Sequence, residues 1–187
     1  MPYPFPQHIK SCSVMMFIDG ENLSIRWKNQ IGKQKIPSHV RYEPDVYVWS
    51  HLLNMETHVC CNITRKYYYA SVGGGAEKEG EIVEKLKALG IESPNVFHRS
   101  KSKGSKRVDI SLSVDMLAHA YQKNYDVAVL VAGDEDYVPL VSAVKNAGRR
   151  VFVWFPENGL SPSLKRSADY YFDISSILAN PKADMYF

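Results

Sequence analysis

Short apolar runs, each stopped by a glycine or an acid, alternate along this chain with longer stretches whose apolar residues recur every three or four positions. Ser13-Val-Met-Met-Phe-Ile-Asp19 is the first such run, and its near-continuous hydrophobicity predicts a buried parallel strand. Gly20-Glu-Asn22 breaks it, and Leu23 to Ile31 continue as a helix until Gly32. Pro37 and Pro44 bracket a loop. Pro44 then sits where a helix could begin, and Val46, Trp49, Leu52 and Leu53 share one side of a helix predicted to run to about Thr57. His58 to Val72 alternate and are rich in β-formers, so they read as a strand. Ala76 to Leu89 carry Ile82, Val83, Leu86 and Leu89 at helical spacing, with Gly90 as the stop. A short strand at Asn95–His98, a basic loop and a helix over Val108–Asn124 follow. Asp126 to Ala132 form the clearest strand, ending in Gly133-Asp134-Glu-Asp136. The rest reads as a helix over Tyr137–Ala147, a strand over Arg149–Phe155, a helical turn at Leu164–Ala168 and a last strand at Tyr170–Ile174.

Strands that alternate with helices predict a three-layer α/β/α sandwich around a mostly parallel central sheet, which is a Rossmann-like arrangement. A length of 187 residues suits one domain. The expected organisation is an irregular leader over 1–12, the domain over 13–174 and a loosely ordered tail over 175–187. In such sheets ligands bind beyond the carboxyl ends of the strands, so functional side chains should follow strands directly.

Composition narrows the class only a little. The chain is 45% hydrophobic and 23% charged, which is ordinary for a protein with a packed core. No apolar run reaches the ~18–20 residues of a membrane span, and Met1 to Lys10 hold three prolines rather than the apolar core of a signal peptide. A soluble, cytoplasmic protein is therefore expected. Cys12, Cys60 and Cys61 lack the CxxC spacing of a zinc site and are expected to be reduced thiols. The net charge of +3 permits a nucleic-acid partner without requiring one.

The acids change the picture. Asp19 and Asp134 each follow an apolar strand beside a glycine, where a buried carboxylate needs a cation or hydrogen bonds. Either could merely cap the next helix, as aspartate does well. Asp109 lies in the first turn of its helix, suitably placed to face the strand ends, whereas Asp115 is about 120° away around that helix and suits a supporting role or a pair with His119. Hard carboxylate oxygens suit Mg²⁺ or Mn²⁺. Arg99, Lys101, Lys103, Lys106 and Arg107 crowd a loop running into Asp109, as expected for phosphate-backbone contacts. Tyr67, Tyr68 and Tyr69 offer either a stacking surface or alternate core positions. Gly73-Gly-Gly75 lacks the residues that a phosphate-binding loop requires.

Three blocks carry a family resemblance: Asp19-Gly-Glu-Asn22; Lys106-Arg-Val-Asp109 with Asp115; and Ala132-Gly-Asp134-Glu-Asp136-Tyr-Val-Pro-Leu140. Together with Gly148-Arg-Arg-Val-Phe-Val153, in this order and spacing, they resemble the signature of NYN domains over roughly residues 13–174. The resemblance implies a PIN-like fold and a metal-dependent ribonuclease acting on RNA. It also implies that Asp19, Asp109 and Asp134 are the acids, with Asp136 as a fourth and Asn22 assisting. The family often has Ser where Ala132 stands and Phe where Tyr137 stands. The expected activity is hydrolysis of RNA, preferably single-stranded, at a Mg²⁺ or Mn²⁺ site, with a homodimer left open. The alternatives are an RNA-binding PIN-like module with little or no catalysis, or a partner-regulated scaffold. A phosphatase of the haloacid dehalogenase type would need an aspartate where Glu21 stands.

Overall fold

Six strands pair side by side, all parallel, in the order β5-β4-β1-β6-β7-β8. They are β1 (Ser13–Asp19), β4 (Asn62–Val72), β5 (Ser93–His98), β6 (Val127–Val131), β7 (Arg150–Trp154) and β8 (Tyr170–Phe172). The computed structural model describes residues 12–54, 62–99 and 106–179. Helices α1 (Gly20–Ile31), α2 (Gly75–Ala88), α3 (Lys106–Tyr121), α4 (Val138–Asn146), α5 (Pro162–Ser167) and α6 (Ser175–Ala179) flank the sheet. This is the expected α/β/α sandwich. From β1 the chain builds outward through β4 to β5. It then crosses back along α3 and builds the other way through β6, β7 and β8. The order therefore reverses between β1 and β6, and their carboxyl ends flank the crevice in which such sheets bind ligands.

The burial of β1 and β6 explains their legibility. Every residue of β6 is buried, as are the last six of β1, because helices cover both faces of a parallel sheet. The same cover accounts for the tyrosines of β4. Tyr67 and Tyr69 reach α3, where the Tyr67 hydroxyl meets His119 Nε2 at 2.8 Å and the Tyr69 hydroxyl donates to Asp115 at 2.7 Å. Tyr68 points to the opposite face, as strand alternation demands. Its hydroxyl donates to the Val48 carbonyl at 3.1 Å and accepts from the Val48 N–H at 3.2 Å. All three rings are buried, so none offers a free surface for stacking.

Val48 belongs to a feature that the sequence pattern misrepresents. The expected helix from Pro44 is instead an antiparallel hairpin of β2 (Val40–Glu43) and β3 (Tyr47–Ser50). Pro44 occupies a tight turn, closed by the Val46 N–H donating to the Glu43 carbonyl at 3.1 Å, and Asp45 after it has φ of 55°. Proline before a residue of positive φ is a turn signature, and aspartate tolerates that region better than most. All four residues of β3 are buried, so Val48 and Trp49 satisfy the core without helical periodicity. Only His51–Asn54 form a short 3-10 turn, and the expected end at Thr57 lies outside the described residues.

Two further expectations are corrected. The tail expected to be loose from residue 175 begins as α6, with Leu178 buried; the Trp27 indole donates to the Leu178 carbonyl at 3.1 Å, and His39 Nε2 donates to that of Ile177 at 2.8 Å. Cys12 is disulfide-bonded rather than a free thiol, and its partner lies outside the described residues. Disulfides persist mainly in oxidising compartments, so cysteine usage no longer argues for the cytosol. Among the described residues no helix is long and apolar enough to cross a membrane.

Tyr68→Phe removes one hydroxyl that serves both backbone groups of Val48. Urea denaturation should show a loss of about 1–3 kcal/mol, the typical consequence of leaving buried polar groups unpaired. A change of a few tenths would show that the hairpin is held by packing alone.

Candidate active site

Asp19 ends β1, caps α1 and is only 3% exposed. Its Oδ1 accepts the Asn22 N–H at 3.0 Å, and its Oδ2 accepts the hydroxyl of Tyr137 at 2.9 Å. Such a cap requires the chain to turn under the Tyr68 ring. A Cβ on Gly20 would lie 2.0 Å from Tyr68 Cε1, so no larger residue fits there without displacing the ring. The second aspartate loop is built in the same way. A Cβ on Gly133 would lie 2.3 Å from the Phe155 ring and 2.8 Å from the Gly159 carbonyl oxygen. Asn22 joins the two loops, its Oδ1 accepting the Gly133 N–H at 3.0 Å. Asp134, beyond it, caps the 3-10 turn Glu135–Tyr137 by accepting the Asp136 N–H at 3.2 Å.

That turn delivers Tyr137 inward. Besides Asp19, its hydroxyl reaches Asp109 Oδ1 at 3.2 Å, in the first turn of α3. The carboxylates of β1 and α3 therefore lie within two hydrogen-bond lengths of each other. Asp19, Glu21, Asn22, Ile25, Asp109 and Asp134 line one open cleft. Four of the expected site residues (Asp19, Asn22, Asp109 and Asp134) are thus brought together at the switch point of the sheet.

Other expected residues are placed elsewhere. Asp136 is exposed and does not line the cleft, although its charge acts on Asp109. Asp115 faces Tyr69 rather than the cleft or His119, so its contact is with the sheet. Arg99 is half-buried and already engaged by the fold. Its guanidinium donates to the hydroxyl and carbonyl of Ser71 and to the Asp45 carbonyl, and it lies 3.3 Å from Glu21 Oε1. Ser71 donates to the other oxygen of Glu21 at 3.0 Å. Glu21 was not anticipated as a cleft residue; its only sequence signal was its place between Gly20 and Asn22. Arg107 is exposed, with its guanidinium 4.7 Å from the centre of the Phe97 ring. Lys101 and Lys103 lie outside the described residues, as does the side chain of Lys106.

The electrostatics follow from burial. Desolvation pushes the Asp19 carboxyl up to about 7, more than its hydrogen bonds to Asn22 and Tyr137 offset, and the charges of Asp109 and Glu21 push the same way. Asp109 is also raised, first by desolvation and then by Asp134, Glu21 and Asp136, against the hydrogen bond from Tyr137. Desolvation and the two flanking carboxylates hold Tyr137 firmly in its neutral form. Among the described residues no group of three or more His, Cys, Asp or Glu side chains could hold a metal ion on its own. The donor set nevertheless fits Mg²⁺, which usually takes one or two carboxylates, keeps several waters and recruits substrate phosphates. Asp19 and Asp109 converge on one point, and Asp134 stands at the same cleft.

The fold and this cleft define a PIN-like α/β domain. The NYN domain profile matches residues 13–176, and the chain belongs to the NYN domain family, a PIN-like nuclease family whose members generally use divalent metals. A solved structure of a protein of unknown function from Vibrio parahaemolyticus superposes with a TM-score of 0.66 at 17% identity, covering 90% of this chain and 96% of that one. That likeness concerns the fold. An uncharacterized protein of Methanocaldococcus jannaschii is 33% identical over 67 residues, which are 36% of this chain and 28% of that protein.

A carboxyl whose folded value is raised from 3.8 to about 7 stabilises the fold fully below pH 4, and this contribution is lost as pH rises towards 7. The full swing is on the order of 4 kcal/mol. Asp19→Asn keeps the cap and removes the titration. The melting temperature of the metal-free native chain, relative to that of Asp19→Asn, should fall steadily between pH 4.5 and 7.5 (values around ~4 and ~7 bracket the titration). A constant difference across this range would show that Asp19 is ionised throughout.

Proposed function

We propose that this chain is a divalent-metal-dependent ribonuclease whose active site is the cleft at the β1–β6 switch point. The observation that carries the reading is the meeting of Asp19 and Asp109, from separate elements, on one buried hydroxyl, with Asp134 lining the same cleft. Carboxylates are gathered against their own repulsion only where something compensates for it. Asp19, Asp109 and Asp134 would hold Mg²⁺ or Mn²⁺, with Asp136 near enough to add negative potential. When bound, such an ion supplies Lewis acidity towards a phosphodiester.

Asn22 uses its amide oxygen on Gly133, which leaves its NH₂ hydrogens to donate towards a phosphate or an attacking water. Lys101, Lys103, Lys106 and Arg107 would meet the RNA backbone. Arg99 serves the site indirectly, by fixing Glu21. Flexible single strands suit an open cleft with backbone contacts better than a rigid duplex. One observation favours a second reading, an RNA-binding module with little or no catalysis. Asp19 and Asp134 already cap the segments that follow them, which gives each carboxylate a structural use without any metal.

Labelled single-stranded RNA incubated with Mn²⁺, Mg²⁺ or EDTA separates the two. Cleavage should require the ion and should fall by at least a hundredfold, about 3 kcal/mol of transition-state stabilisation, in both Asp19→Asn and Asp134→Asn. RNA binding without ion-dependent cleavage would establish the second reading. Replacing Lys101, Lys103, Lys106 and Arg107 by Ala should weaken binding and flatten its salt dependence. The slope of log K against log salt should fall by about 0.7 for each lost contact to a single strand. An unchanged slope would place the RNA elsewhere.

A further inference from the structure

Tyr137 occupies a position that the proposed chemistry does not itself explain. It is buried, and it belongs neither to β1 nor to α3, yet its hydroxyl lies 2.9 Å from Asp19 Oδ2 and 3.2 Å from Asp109 Oδ1. A phenylalanine would fill the same hydrophobic space, so packing does not account for the oxygen. A hydroxyl has one hydrogen and two acceptor lone pairs. Its single hydrogen is shared as a three-centre bond, with Asp19 at the shorter distance and Asp109 at the longer.

The bridge has geometric consequences. Asp19 Oδ1 is directed by the Asn22 N–H and Oδ2 by Tyr137, so both carboxylate oxygens are oriented, each keeps a further lone pair, and the residue lines the cleft. Asp109 sits on a helix that begins at Lys106, directly after the basic loop, and among the described residues Tyr137 is the hydrogen-bond partner of its carboxylate. We propose that Tyr137 is a positioning residue. Its hydroxyl pins the Asp19 and Asp109 carboxylates to a common point and so presets them for a divalent cation. The proposal rests on the metal-dependent reading of the cleft and adds to it a specific residue outside the ligand set.

Direct Mn²⁺ binding, followed through the electron paramagnetic resonance signal of the free ion, tests this without relying on activity. Partners that orient metal ligands typically contribute 10–100-fold to affinity, so Tyr137→Phe should raise the half-saturating Mn²⁺ concentration about 10- to 100-fold. Tyr125→Phe is the matched control. That buried hydroxyl donates to the Met116 carbonyl at 2.8 Å and touches no carboxylate, so its loss should lower the melting temperature yet leave half-saturation unchanged. If Tyr137→Phe does not fold, ¹³Cζ-tyrosine resonances of the native chain give the same answer. Mg²⁺ should shift one strongly, and the absence of any shift at saturating Mg²⁺ would overturn the proposal. Native and Tyr137→Phe chains that bind Mn²⁺ equally would overturn the positioning role and leave the metal reading intact. Tighter binding by the variant would show that the hydroxyl competes with the ion, which also overturns the proposal. A native chain that binds no Mn²⁺ would sink both.

Discussion

A carboxylate buried at the end of an apolar strand is the constraint around which this domain is organised. Asp19 cannot be solvated by water at 3% exposure, and a lone buried charge would be costly. Its surroundings therefore supply two donors from separate parts of the sequence, a backbone N–H three residues on and a hydroxyl from beyond β6, through an approach close enough for both. The close approach depends on Gly20, whose missing side chain makes room for Tyr68, and Tyr68 in turn holds the hairpin strand β3 through Val48. The hairpin, the core ring and the acid are thus successive layers of one packing arrangement.

The positive side of the site is divided between two tasks. A run of basic residues ahead of Asp109 suggests a uniform patch for an anionic ligand. The structure withdraws Arg99 from it and sets that guanidinium among Ser71, the Asp45 carbonyl and Glu21. Arginine suits such a post because its planar fork can satisfy several acceptors at once. Glu21 is thereby fixed in place beside two other acids. The local negative potential that would attract a cation is consequently held in place by a cation that never leaves the protein.

Much of this was legible in the sequence, for reasons that can be stated. β1 and β6 are apolar throughout because both their faces are covered, and their terminal acids stand out against that background. Asp19, Asn22, Asp109 and Asp134 meet at one cleft, as expected, because strand ends and first helical turns point in a known direction. Asp136 stands apart from that cleft because the 3-10 turn that follows Asp134 sends Tyr137, rather than Asp136, inward. The hairpin was hidden because Val46, Trp49, Leu52 and Leu53 happen to fall at helical spacing behind a proline. Residues buried on both sides of a short strand carry no periodicity with which to contest that reading. Tyr137 looked like an ordinary helix residue, since nothing local reveals that its hydroxyl meets a side chain 118 positions away.

The hydrogen bond from the Gly133 N–H to the Asn22 side chain makes the two acidic motifs a single unit, although more than a hundred residues separate them. The amide oxygen at position 22 accepts a backbone N–H from the opposite loop, and that loop passes so close to Phe155 and Gly159 that no side chain fits at Gly133. Drift in one motif would therefore loosen the selection acting on the other. Among descendants of this chain the two should decay together, and neither motif could be grafted alone onto another sheet with its geometry intact.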